Sequence, residues 1–474
     1  MLALAAASAG AQAQLRLPSV GLPQLPRIGG LDSDRLTAPL RELPDVRALR
    51  LEEVGRLLRR HRDVLEADPR GEPAVRHEIF AWSPSPAALA GAAAEGLRVV
   101  RDSGDDALRT VVLRVPDRAD TAAVLARLRA LDPDGVYDFN HIYTGSSAEP
   151  LKMGSGPQDQ TPMLHAPATK TGPGPQDQTP MLHAAATKAG VELGFSEAKL
   201  RSCGTVEPCK ARLLPGPADL TPSVRVGLVD SGVETSHDVF GGARIARWGC
   251  GGAAHPSAHG TAVAALMVGR SARFHGVAPQ ASLFAADIYC DSPTGGSADQ
   301  IAGALAWLAK QQVGVINLSL VGPANQALER VVGAMQQRGH LIVAAVGNDG
   351  PAAPPLYPAS YPGVVGVSAV DRNNRPLPEA ARGPQVMFAA PGNNMVSAAP
   401  GSPAYRAVRG TSFAAPLVAA LLAESLAAPD KARAAQAVAA LAKQALRPDG
   451  STVSNETGYG IVGTAFRIDP SSLR

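Results

Sequence analysis

Residues 410–416, Gly-Thr-Ser-Phe-Ala-Ala-Pro, run directly into the small apolar stretch 417–423, Leu-Val-Ala-Ala-Leu-Leu-Ala. The glycine lets the chain bend sharply, and threonine and serine are natural helix-start residues. Pro416 is expected within the first helical turn, where a missing N–H is no loss. Ala415, Val418, Ala419 and Leu422 then share one stripe, so the helix can sink into a core. Such a helix would hold the Ser412 hydroxyl rigidly beside backbone N–H groups that have no partner within the helix, which suits a nucleophile facing an oxyanion. Alone, the turn would be an ordinary helix cap. Two other segments change its meaning.

Residues 224–232, Val-Arg-Val-Gly-Leu-Val-Asp-Ser-Gly, read as a short apolar strand ending in a carboxylate and a turn. Strand-end carboxylates point into the crevice where α/β proteins place their sites. Residues 259–265, His-Gly-Thr-Ala-Val-Ala-Ala, begin a second helix of small residues with an imidazole at its exposed end. A serine hydroxyl is a poor nucleophile at neutral pH without an adjacent base. Asp230, His259 and Ser412 are therefore the candidate catalytic set.

These segments, V-D-S-G, H-G-T-x-V-A and G-T-S-x-A-x-P in the order Asp, His, Ser, closely resemble those of the subtilisin-like serine peptidases. A fourth segment of that pattern, Val-Ala-Ala-Val-Gly-Asn-Asp-Gly at 343–350, is followed by matching stretches at 357–362 and 364–371. The resemblance runs from about residue 223 to 458–462. It implies an α/β, doubly wound, mainly parallel sheet and a serine endopeptidase working through an acyl-enzyme. Ser412 would attack, His259 would move the proton and Asp230 would hold the imidazole. It also implies Asn348 as a side-chain donor to the oxyanion. Ser319, Leu320 and Gly322 would line one wall of the primary specificity pocket, with Ala345 and Gly347 opposite. Small residues on both walls leave room for a large apolar side chain, and Asp349 near the rim suits a basic one. Val321 occupies a position where family members often carry glycine, which narrows the groove. No cofactor is expected to be required; calcium is left open, since no carboxylate-rich loop matching the family's activating sites stands out.

A zinc site is not expected at Cys250, His255 and His259, which lack a fourth ligand in a Gly/Ala/Pro/Ser loop. His237, His275 and His340 read as surface or packing residues. Buried strands are expected at 281–287, 313–320, 340–346, 364–369 and 385–390, with helices at 297–312 and 324–338. The formal net charge of +3 gives no reason to expect a nucleic-acid partner, and the basic run 56–62 reads as a solvated helix face. The longest apolar run, 413–423, is too short for a membrane span.

Residues 1–13 read as an export signal, apolar at 2–9 and closing on the small-x-small form Ala11-Gln12-Ala13, although without the usual positive start. A secreted or periplasmic location is expected. The four cysteines fit export. Cys203 and Cys209 could close a small loop and Cys250 and Cys290 a second, but three pairings are open and reduced thiols are the alternative.

Residues 14–150 read as a separate α+β unit. After a helix around 46–65 come strand 75–82, helix 86–95, strands 97–101 and 108–115, helix 121–131 and strand 136–143. That order is ferredoxin-like. It resembles the propeptides of subtilisin-like enzymes, which implies an intramolecular inhibitor and folding aid. Residues 151–200 carry a duplicated segment, Gly-Pro-Gln-Asp-Gln-Thr-Pro-Met-Leu-His-Ala at 156–166 and again at 174–184, and read as an exposed linker. The catalytic unit would span 201–474. Self-cleavage is expected after Tyr143 and before Cys203, with protein or peptide substrates thereafter. The alternatives are a narrow processing protease for one partner protein, or an inactive peptidase-like scaffold. The intact set of Asp230, His259, Asn348 and Ser412 argues against the scaffold.

Overall fold

The computed structural model describes residues 46–145, 224–447, 450 and 453–470. The signal-like segment, the duplicated linker, Cys203 and Cys209 lie outside the described residues. The described residues fall within one compact unit.

The N-terminal part runs α1 (Val46–Arg60), β1 (Leu65–Ala67), β2 (Pro73–Trp82), α2 (Pro86–Ala94), β3 (Arg98–Ser103), β4 (Thr110–Arg114), α3 (Thr121–Leu131) and β5 (Val136–Gly145). Ser85 caps α2 by accepting from Ala88 N–H, and Pro86 opens that helix where no N–H is needed. Asp120 caps α3 in the same way. The four long strands lie in the order β5-β2-β4-β3, every pair antiparallel, which is the ferredoxin-like arrangement. Ile79, Val111, Leu113 and Phe139 pack on one face of this sheet against Ala88, Val124 and Leu128 of its helices.

The larger part runs β6 (Arg225–Asp230), β7 (Arg244–Trp248), α4 (Ala258–Val268), β8 (Ser282–Asp287), β9 (Gly296–Ser297), α5 (Ala298–Lys310), β10 (Val315–Leu318), β11 (Leu320–Val321) and α6 (Gln326–Gln337). It continues with β12 (Leu341–Ala345), β13 (Val365–Val370), β14 (Val386–Pro391), β15 (Met395–Ala398), β16 (Tyr405–Val408), α7 (Thr411–Ser425) and α8 (Lys431–Gln444). Its parallel sheet has the order β14-β13-β12-β10-β6-β8-β7. The central strands are mainly apolar because both faces are covered. One core layer joins the sheet to α4 and α7, and the other joins it to α5 and α6. Successive strands move to one side of β6 as far as β8 and to the other from β10 onward. The crevice at the carboxyl ends therefore opens beside β6, whose last residue is Asp230.

The expected strands and helices of this part match the observed ones to within about two residues at each end, the usual uncertainty of element boundaries. Pro416 is a correction. With Gly410 as N-cap, it stands at the sixth helical position, inside α7 rather than in its first turn. Its missing N–H frees the carbonyl of Ser412, four residues earlier, and that carbonyl accepts from Ser319 Oγ at 2.8 Å. The proline that would weaken an ordinary helix here opens an acceptor that ties the Ser412 backbone to the neighbouring strand end.

Candidate active site

Asp230 ends β6 and is 1% exposed. Its Oδ1 accepts from Ser231 N–H at 2.7 Å and Ser231 Oγ at 3.0 Å, and lies 2.7 Å from His259 Nδ1. Ser231 Oγ in turn accepts from Gly260 N–H at 3.1 Å, so the turn after β6 also holds the first turn of α4. Gly260 has to be glycine: a Cβ there would lie 2.0 Å from the Ser231 carbonyl oxygen. That close approach delivers the imidazole to the carboxylate.

Burial works against a charged His259, but the Asp230 carboxylate beside it and their hydrogen bond outweigh burial and raise its pKa above the ordinary 6.5. With Nδ1 facing Asp230, Nε2 is the nitrogen able to receive a proton, and it is buried without a hydrogen-bond partner. The imidazole lies against the ring of Phe413, with centroids 5.4 Å apart, and Phe413 directly follows Ser412. Helices α4 and α7 belong to one core layer, which brings their first turns together.

Gly410 takes φ +130° to start α7, a conformation that favours glycine. Thr411 N–H donates to Asn348 Oδ1 at 3.1 Å, and Thr411 Oγ1 accepts from Gly347 N–H at 3.3 Å. The Asn348 amide is thereby held at the start of α7, with its oxygen engaged and its NH₂ as the donating end.

The residues expected to line the specificity pocket lie close together. A Cβ on Gly347 would lie 3.5 Å from Val321 Cγ1, so Val321 and Gly347 stand across from one another. Ala345 ends β12 and is fully buried. The Ser319 side chain turns away from the groove into the core, receiving Asn317 Nδ2 at 2.9 Å and donating to the Ser412 carbonyl. Leu320 and Val321 form the short strand β11.

Strand β11 is paired. Val321 pairs with Thr144 and Leu320 with Gly145 in an antiparallel ladder, while Tyr143 and Ile142 pair with Gly296 and Ser297 on the other side. Strand β5 thus lies between β9 and β11. The Tyr143 ring lies over Gly322, where a Cβ would come within 2.4 Å, and its hydroxyl donates to the Pro323 carbonyl at 2.9 Å. Beside this ladder Asn140 Nδ2 donates to Glu78 and to Asp299, both at 2.8 Å, and Arg101 pairs with the same two carboxylates. Sequence reading had no signal for these contacts, because they join residues far apart in the chain.

Cys250 and Cys290 form a disulfide, with Cα atoms 5.4 Å apart. It joins the loop after β7 to the loop after β8, and Asp287 at the end of β8 pairs in register with Asp230. Burial is the main cause raising the Asp287 pKa, with the Asp230 charge adding to it. Both Cys250 and Cys290 approach Asp287 closely enough for a metal cluster, but their sulfurs are bonded to each other. Among the described residues, no helix is long and apolar enough to cross a membrane.

Comparison with known proteins agrees with this geometry. The model of the subtilase family matches residues 221–460. Subtilisin E of Bacillus subtilis (strain 168) is 35% identical over 201 residues, covering 40% of this chain and 52% of its own length. Subtilisin Savinase of Lederbergia lenta is 38% identical over 197 residues, covering 40% of this chain and 72% of its own length. The chain spans about half the length of the first curated relatives it matches. Among solved structures, fervidolysin from Fervidobacterium pennivorans superposes with a TM-score of 0.59 at 18% identity, over 85% of this chain and 62% of that one. At that identity the likeness is one of fold. The match over half of the sequence, together with the parallel sheet and the placement of all four motif segments, makes this chain a member of the subtilase family.

Proposed function

We propose that this chain is the exported proenzyme of a serine endopeptidase, and that its N-terminal part inhibits the site until the chain cuts itself. Ser412 Oγ attacks the scissile carbonyl as His259 Nε2 takes its proton. Asp230 holds the tautomer and stabilises the imidazolium, and the proton then passes to the leaving amine. Asn348 Nδ2 and the Ser412 backbone N–H receive the oxyanion. Water reverses the sequence on the acyl-enzyme and releases the acid.

The observation that carries this reading is the 2.7 Å pair of buried Asp230 and His259, set against the helix that presents Ser412. The proenzyme reading is supported by β5, which adds to the groove edge as an extended peptide does in β-strand recognition. Gly145 lies opposite Leu320, next to Ser319, whose hydroxyl touches the Ser412 backbone. The bond cut in maturation accordingly falls within a few residues after Gly145. An oxidising compartment fits the Cys250–Cys290 bridge.

N-terminal sequencing of the matured protein tests this directly. A new terminus shortly after Gly145 is expected. One upstream of His141 or downstream of Leu214 would overturn the proposed role of β5.

A further inference from the structure

The loop after β7 and the end of β8 each carry a pair of ligand-type side chains. Cys250 and His255 are separated by four residues, and Asp287 and Cys290 by two. Structural zinc sites use separations of about two to five residues within each such pair. Cys250 and His255 lack further ligands in their own loop. The fold supplies them, because β7 and β8 are parallel neighbours whose carboxyl ends bring the two pairs together.

The sulfurs of Cys250 and Cys290 and a carboxylate oxygen of Asp287 all lie within 4.8 Å of one another. Asp287 Oδ1 accepts from Tyr289 N–H at 3.0 Å and from Cys290 N–H at 2.9 Å, which fixes the carboxylate. Its Oδ2 is buried and has no hydrogen-bond partner among the described residues. An oxygen buried in that way is costly, and a cation beside it would remove the cost. Cys250, His255 and Asp287 line one cavity of about 670 Å³, walled also by Ser231 and Gly232. His255 is close enough to Asp287 for its charged form to favour the carboxylate.

We propose that the reduced chain binds one zinc ion through Cys250 Sγ, Cys290 Sγ, Asp287 Oδ2 and a ring nitrogen of His255. The ion and the Cys250–Cys290 bridge are then alternative clasps for the same two loops. His259 takes no part. Two thiolates, an imidazole and a carboxylate suit tetrahedral zinc, whereas calcium and magnesium require oxygen donors throughout. The site forms in two balanced steps. A dithiol reductant passes two electrons and two protons to the bridge and closes to its own disulfide. Each freed thiol then gives up its proton as its sulfur bonds the ion, so metal binding itself transfers no electrons. Once unbonded, the two sulfurs move apart towards the spacing that ligands take around one ion.

The test uses the full chain carrying Ser412→Ala, with Cys203→Ser and Cys209→Ser, so that Cys250 and Cys290 are its remaining thiols. Cobalt(II) added to the reduced protein should give a thiolate-to-cobalt charge-transfer band and tetrahedral visible bands that saturate at one equivalent. Zinc should bleach them. The oxidised protein should show neither. Asp287→Asn and His255→Ala should each weaken zinc at least about tenfold, the lower end of what losing even an outer-shell partner costs. His255→Ala leaves the hydrogen bonds from Asp287 to the Cys290 turn in place, so it serves if Asp287→Asn fails to fold. Zinc should also raise the urea midpoint of the reduced protein in proportion to the logarithm of its free concentration. A reduced protein without the cobalt bands would overturn the site. Bands of the same affinity in both variants would overturn this donor set and leave simple thiol binding.

Discussion

Thr144 and Val321 face one another across an antiparallel ladder. The contact ties the last strand of the N-terminal part to β11, next to Ser319, whose hydroxyl donates to the Ser412 carbonyl, with β9 completing the pairing on the other side. On the proposed reading, this pairing makes the N-terminal part a competitor for any substrate that binds as an extended strand.

Tyr143 anchors that competitor. It is fully buried, and its ring and hydroxyl both contact the larger part of the chain. Tyr143→Ala removes an aromatic side chain from a packed site, a change of about 3–5 kcal/mol. The lag before activity appears in a maturation time course should shorten, because the cut N-terminal part leaves sooner. An unchanged lag would show that β5 does not limit release.

Asn348 is tested by turnover rather than affinity. Asn348→Ala should lower kcat about 10²–10³-fold with little change in KM, the loss known when one such donor is removed from subtilisin. Thr411 N–H also loses its acceptor in this variant, so a thermal melt should accompany the kinetics. A rise in KM at constant kcat would instead assign Asn348 to ground-state binding.

The pH dependence has a definite sign. His259 must be neutral to take a proton, and its pKa lies above the ordinary 6.5 because Asp230 outweighs burial. The acid limb of kcat/KM should therefore fall above pH 6.5 in the wild type. Asp230→Asn should move that limb downward and cost about 10⁴-fold in kcat. Stability runs the other way. The raised pKa adds stability that is fully present below 6.5 and is lost as pH rises through the folded value. Titrating Ser412→Ala protein by urea melts at several pH values separates the two effects.

The Cys250–Cys290 bridge closes a span of 40 residues. In the chain-entropy account such a loop contributes about 4 kcal/mol. Replacing both cysteines by alanine in the Ser412→Ala background should lower the urea midpoint accordingly. A midpoint within error of the parent would mean that the bridge is structurally neutral.

The sequence was most legible where burial is complete. Strands β8, β10, β12 and β13 are mainly apolar, and α4 and α7 are so rich in small residues that only a core position suits them. Strand β7, Arg244–Trp248, was not read, because it lies at the sheet edge and its Arg-Ile-Ala-Arg-Trp pattern is half exposed. Helix α8 escaped for a different reason: its buried residues Ala434, Ala437 and Leu441 differ little in hydropathy from the alanines on its outer face. The candidate catalytic residues were legible from local motifs, whereas Arg50 meeting Asp349 across 299 positions carries no local trace. Pro416 shows the limit within a motif. Its residue type was read, but its effect depends on Ser319 reaching the carbonyl it frees.

The most direct measurement compares the full chain with its Ser412→Ala variant, both expressed for export and treated with a fluorophosphonate probe. The account predicts that the wild type alone is labelled and shortened, while the variant keeps its full length and stays dark. Labelling of the variant would place the nucleophile elsewhere. A folded wild type that neither labels nor shortens, even after an external protease removes its N-terminal part, would contradict the account at its centre.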